Sequence, residues 1–143
     1  MSSTIESIAT TVDAPVAGRS LLRAGVAATV VAAAATTAIA AIAEAAGVSF
    51  TDHTGSAIPL TGFTMLTVLF SLIGVGLAAL LRRRAIRPQR TFLQVTLSLL
   101  VLSFVPDLIS GFSASSAVVL ILAHTAAAAI VIPALAHRLP AAR

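Results

Sequence analysis

The sequence predicts an all-α membrane protein whose four transmembrane helices form an up-down-up-down bundle with both termini in the cytoplasm. Apolar residues make up 58% of the chain and charged residues only 10%, a composition unlike that of a soluble domain. The apolar residues form four runs of about 20, the length with which a helix crosses a bilayer. All 9 basic residues are arginines, and they lie in gaps or tails on one side of the membrane, so the positive-inside rule predicts the orientation.

The chain divides into two tails and one transmembrane domain. Residues 1–18 are polar and poor in large apolar groups, and we predict a disordered cytoplasmic tail there. The transmembrane domain covers 19–139, and 140–143 form a second cytoplasmic tail. The predicted spans are 24–43, 62–81, 91–110 and 117–136.

The first span, 24–43, is rich in Ala and follows Arg23. Its alternative is a signal peptide, because Arg19 and Arg23 precede the apolar run and Ala43, Glu44 and Ala45 resemble a small-residue cleavage site. The run is longer than the roughly 7 to 15 apolar residues of a signal peptide, so we favour a span.

The second span, 62–81, is followed by a turn that concentrates five cations. These candidate contacts for anionic lipid headgroups are Arg82, Arg83, Arg84, Arg87 and Arg90. Each could contribute about 1 kcal/mol near an anionic surface. Any positive-inside turn would carry such residues, so the pattern indicates orientation and not a dedicated lipid receptor.

The third span, 91–110, carries a polar stripe. Thr96, Ser103 and Ser110 recur every seven residues, and Asp107 lies four residues after Ser103. Pro106 lacks a backbone donor, which predicts a kink or an early helix end. Asp107 could therefore cap the outer end of the helix and face water, or lie inside the bundle as part of a site.

The fourth span, 117–136, places His124 roughly 10 Å from its outer start. Ser103 lies at a similar depth and Asp107 about one turn above. If the third and fourth spans are neighbours, Ser103, Asp107 and His124 could form an intramembrane polar cluster. His124 would then be either a neutral imidazole that joins two helices or part of a proton-responsive pair with Asp107.

Several features together resemble a known family. They are the Ala-rich first span, the outer loop, the Arg-rich inner turn, the stretch 103–107 and the segment 124–138 with its Pro133. They are similar to a family of small four-helix integral membrane proteins of high-GC actinobacteria, a domain of unknown function. The resemblance covers about residues 19–139 and implies no activity. The use of Arg to the exclusion of Lys fits a high-GC coding sequence.

The sequence favours a structural or interaction module of the cytoplasmic membrane over an enzyme. It contains no Cys, which excludes thiolate chemistry, and it shows no catalytic, metal or cofactor motif. The expected partners are membrane lipids and either a homo-oligomer or a partner membrane protein, and no nucleic acid, because the arginines form no basic face. The alternative is an oligomeric proton-linked or cation-linked transporter or channel that uses Asp107 and His124.

Overall fold

A computed structural model describes residues 2–142, with side chains described from residue 18 onward. Its four helices are α1 (Ser2–Ala45), α2 (Leu60–Arg84), α3 (Pro88–Ile109) and α4 (Ala114–Ala136). All four are long and apolar enough to cross a membrane, α1 through its segment Gly18–Ala45. The prediction of an all-helical chain with four such helices is confirmed.

Helix α1 differs from the prediction at its start. It begins at Ser2, so its backbone is helical where the sequence predicts a disordered tail over 1–18. Disorder of this tail in solution stays a prediction.

Helices α2 and α4 lie between α1 and α3. Each of them contacts both α1 and α3, and they also contact each other, while no described Cα atoms of α1 and α3 lie within 8 Å of one another. Gly25 permits the close approach of α1. A Cβ at that position would lie 2.5 Å from a methyl of Val75 and 3.3 Å from a methyl of Leu135. In lipid no hydrophobic effect drives helices together, so association depends on close packing, which small residues such as Gly25 allow.

Buried apolar residues form two clusters along the bundle. The arginine-side cluster joins all four helices, with Phe92 fully buried, and the loop-side cluster joins α1, α2 and α4 to the loop after α1. Two threonine pairs between α1 and α2 lie between the clusters. The Oγ atoms of Thr36 and Thr67 are 2.9 Å apart, and those of Thr37 and Thr64 are 2.7 Å apart.

The loop between α1 and α2 contains an ordered hairpin over residues 49–58. Thr51 and Ala57 form an antiparallel bridge, and the Ile58 amide donates to the Phe50 carbonyl at 2.9 Å. The Phe50 ring packs edge-on against Phe63 of α2, with ring centres 4.9 Å apart. This hairpin is therefore anchored to the end of the bundle.

Candidate functional site

Asp107 lies inside the bundle near the end of α3. Only 7% of the residue is exposed, so the interpretation in which it caps the helix and faces water is wrong. Pro106 lies within the last turn, and α3 ends at Ile109, as expected for a proline that interrupts the hydrogen-bond ladder. The carboxylate is thus turned toward α4 at the point where the helix stops.

Asp107 meets His124 of α4. The Oδ2 atom of Asp107 lies 3.1 Å from the Nδ1 atom of His124. The same Nδ1 lies 2.9 Å from the Leu120 carbonyl oxygen. Because a carbonyl only accepts hydrogen bonds, Nδ1 carries a hydrogen. That hydrogen is directed at Leu120, since Oδ2 makes no hydrogen bond within the described residues. The Asp107–His124 contact is therefore electrostatic, close enough for an ion pair but not aligned as a hydrogen bond.

The geometry of helix side chains explains how these two residues meet. Asp107 lies two residues before the end of α3, whereas His124 lies ten residues after the start of α4, about 15 Å along the helix. Side chains on a helix lean toward its N-terminus. The imidazole of His124 therefore leans toward the start of α4, which is the direction of Asp107.

The pair is closed on the Asp107 side and open on the His124 side. Only 8% of the Asp107 side chain is exposed, against 39% of the His124 side chain. Nδ1 of His124 is bonded to Leu120, and no described residue hydrogen-bonds to Nε2. The bundle therefore encloses the carboxylate and leaves the imidazole partly exposed.

Ser103 does not complete the predicted three-residue cluster. Its hydroxyl donates to the Leu100 carbonyl of its own helix at 2.7 Å, and Thr96 bonds in the same way to Phe92 at 2.7 Å. Carbonyls three or four residues earlier are always within reach of a helical hydroxyl. The structure therefore brings together Asp107 and His124 and leaves Ser103 bonded to its own backbone.

The five candidate lipid-binding arginines lie at the α2–α3 turn. Arg82 is half-buried, whereas Arg83, Arg84, Arg87 and Arg90 are exposed. The first three occupy the last turn of α2, where cations are favoured by the helix dipole. Binding of anionic headgroups at this turn stays a prediction.

Two contacts that the sequence did not predict attach the hairpin to the turn after α3 and to the first turn of α4. His53 Nδ1 lies 2.7 Å from the Ser110 carbonyl oxygen, and the Ser116 hydroxyl donates to the Ser49 carbonyl at 2.6 Å. Gly111 has a φ of 74°, and a Cβ there would lie 2.9 Å from Cγ of His53. The hairpin thus packs against the turn that follows Asp107.

Gln89 is a further residue that the sequence did not single out. Its side-chain amide donates to the Ala136 carbonyl at 3.3 Å, and its backbone amide donates to the Pro140 carbonyl at 3.3 Å. The start of α3 is thereby attached to the end of α4. Across the described residues, no three His, Asp or Glu side chains are grouped as metal ligands.

A family model matches residues 16–141 of this chain. The chain belongs to DUF6069, a family of unknown function. The match includes all four candidate membrane-spanning segments completely, and with them Asp107, His124 and the hairpin. No curated protein and no solved structure matches this DUF6069 chain. Membership in DUF6069 therefore supplies no activity.

Proposed function

We propose that this DUF6069 protein is a structural or interaction module of the cytoplasmic membrane and not an enzyme. The proposal rests on one observation: several polar groups within the spans make their contacts between helices. Thr36 and Thr37 bond across to α2, and Asp107 lies against His124 of the next helix. These polar groups hold helices together, which is the common role of such residues inside a bilayer.

The contacts also support the up-down-up-down topology. Thr36 of α1 pairs with Thr67 of α2, and the next residue, Thr37, pairs with the earlier Thr64. This reversed order is that of an antiparallel helix pair. The turns between α2 and α3 and between α3 and α4 are short, which favours antiparallel neighbours. The arginines at the α2–α3 turn support placing both termini in the cytoplasm.

The proposed partners are membrane lipids and another membrane-embedded chain. Exposed arginines at one end of the bundle suit anionic headgroups, and the large exposed apolar side chains of the spans suit lipid or a partner helix. Nucleic acid is not among the proposed partners, because the arginines are confined to turns and tails. The absence of Lys and the abundance of Ala support a high-GC actinobacterial source.

Association in the native membrane tests the proposal. A photoreactive residue is placed at exposed span positions of the full chain, which is then crosslinked in membranes. The size of the crosslinked complexes is compared with the size of the complex that blue-native electrophoresis shows after mild extraction. We expect an adduct with a second copy or with one recurrent membrane protein. A lone monomer without a copurifying partner would contradict the proposal.

The alternative of proton-linked or cation-linked transport stays a hypothesis. The contact between Asp107 and His124 fits a titrating pair as well as it fits a bridge between two helices. Flux into liposomes separates the two roles when the wild type is compared with Asp107→Asn and His124→Ala. No flux, or flux that is equal in all three proteins, would contradict transport.

A further inference from the structure

The exposed face of α3 has a seam of five residues at alternating spacings of four and three. The seam consists of Gln94, Ser98, Val101, Val105 and Leu108, all exposed. Val101, Val105 and Leu108 are 65%, 44% and 66% exposed, so no other part of the described bundle covers them. This spacing is the one that brings helices together in left-handed packing.

The two polar residues of the seam lie at membrane depth. Gln94 and Ser98 follow Arg90 by four and eight residues, which places them about 6 Å and about 12 Å further along the helix. Neither side chain has a hydrogen bond to any described residue. The Ser98 hydroxyl can turn to a carbonyl of its own helix, whereas the Gln94 amide has no partner in the described bundle. An unbonded amide is costly in hydrocarbon, so a partner for Gln94 at this face would be stabilising.

Other exposed faces of the bundle differ from this seam. The exposed side of α2 between residues 65 and 80 consists of apolar side chains and Gly76. On α4, the exposed Thr125 hydroxyl is bonded to the Ile121 carbonyl of its own helix at 2.8 Å. Those faces suit lipid as they stand, whereas the seam of α3 presents the Gln94 amide without a partner.

We propose that the seam of α3 binds α3 of a second copy, in a parallel dimer. This inference rests on the proposed role as an interaction module and names its partner. Copies inserted in the same orientation are related by an axis along the membrane normal, so each seam residue meets its own counterpart at the same depth. Such self-pairing requires groups that both donate and accept hydrogen bonds.

Gln94 and Ser98 meet that requirement. A glutamine amide has two donor hydrogens and an acceptor oxygen, so two Gln94 side chains can bond reciprocally, and a hydroxyl is likewise donor and acceptor. Val101, Val105 and Leu108 then pack against their counterparts. A polar residue at one position of an otherwise apolar seam also fixes the register of the two helices.

The absence of cysteine from the chain permits a direct test. Val101→Cys and Val105→Cys are introduced separately into the full chain in membranes and exposed to a mild oxidant or a short bifunctional maleimide. Leu72→Cys on α2 is the matched control, because it is 50% exposed and lies at a similar depth, about 15 Å from Arg82. We expect covalent dimers at Val101 and Val105 well above the yield at Leu72.

The contribution of Gln94 is tested in the same background. Gln94→Leu keeps the span apolar and should weaken dimer association about threefold to eighteenfold, the range that corresponds to about 0.6 to 1.7 kcal/mol for a polar contact between membrane helices. Unchanged crosslinking in this variant would show that Gln94 instead reaches toward the headgroups near Arg90 and would overturn its assigned role.

The outcomes separate this inference from the proposed function. If Val101→Cys and Val105→Cys crosslink no better than Leu72→Cys while the chain still migrates as an assembly, the seam is wrong and the interaction module stands. If the chain is monomeric and no position crosslinks, both proposals fail.

Discussion

Removal of the His124 imidazole should destabilise the bundle through the carboxylate that it leaves behind. Oδ2 of Asp107 lies 3.1 Å from the ring, and 8% of the Asp107 side chain is exposed against 39% for His124. Breaking a fully buried ion pair costs about 3 to 5 kcal/mol. The open side of His124 reduces that figure, and measured polar contacts between membrane helices reach only about 1.7 kcal/mol. We therefore expect His124→Ala to lower the free energy of unfolding by about 1 to 2 kcal/mol.

A double-mutant cycle isolates the contact from the lost packing. Asp107→Ala, His124→Ala and the double variant are unfolded with SDS in mixed micelles while helicity is followed by circular dichroism. We expect a coupling energy of about 1 kcal/mol, because the double variant no longer contains an isolated carboxylate. Effects that add within about 0.3 to 0.5 kcal/mol would refute the assignment of Asp107 and His124 as a bridge between α3 and α4.

Three further changes probe the packing and the hairpin. Gly25→Ala places a methyl 2.5 Å from α2, so SDS unfolding should show a loss of about 1 to 3 kcal/mol, and wild-type stability would contradict the close approach. In Gly111→Ala the alanine must adopt the left-handed conformation of Gly111, which costs about 1 to 2 kcal/mol, and its methyl group meets the His53 ring. Adding His53→Ala should recover only the stability that the steric clash removes. Full recovery would contradict a cost from the backbone conformation. The Thr54 hydroxyl lowers the pKa of Asp52 below its ordinary 3.8, with smaller contributions from backbone amides. The ionised carboxylate therefore stabilises the hairpin above pH 3.8, and this stability is lost as the pH falls through the lowered pKa. Protection of the Thr54 amide, measured as its exchange rate relative to the intrinsic rate at each pH, should fall in acid, and this fall should be absent in Asp52→Asn. Identical protection profiles in both proteins would contradict the linkage.

The four spans were predictable because length and hydropathy act directly on membrane insertion. The ends of the helices were less predictable, because α2 continues through Arg84 whereas the sequence predicts an end at residue 81. Arginine is a good helix former, and its side chain can reach the interface from the last turn. The contact between Asp107 and His124 was also predictable, because the depth of each residue along its helix and the short turn between the helices constrain their positions.

The remaining contacts could not be found from the sequence. Ser116 bonds to the Ser49 carbonyl across 67 positions, and His53 meets the Ser110 carbonyl across 57. A backbone carbonyl carries no sequence signature, so neither partner could be identified in advance. Ser103 was grouped with Asp107 because its spacing fits the stripe, and the structure shows its hydroxyl bonded to the Leu100 carbonyl of its own helix.

Single-molecule counting in native membrane tests most directly whether this DUF6069 protein acts by association. Chains with a fluorescent label at the N-terminus are captured in native-membrane nanodiscs at low expression, and bleaching steps are counted together with any copurified membrane protein. If the protein acts by association, discs with two labelled chains should exceed random co-capture, or one membrane protein should copurify recurrently. Discs that hold one chain and no recurrent partner would contradict it.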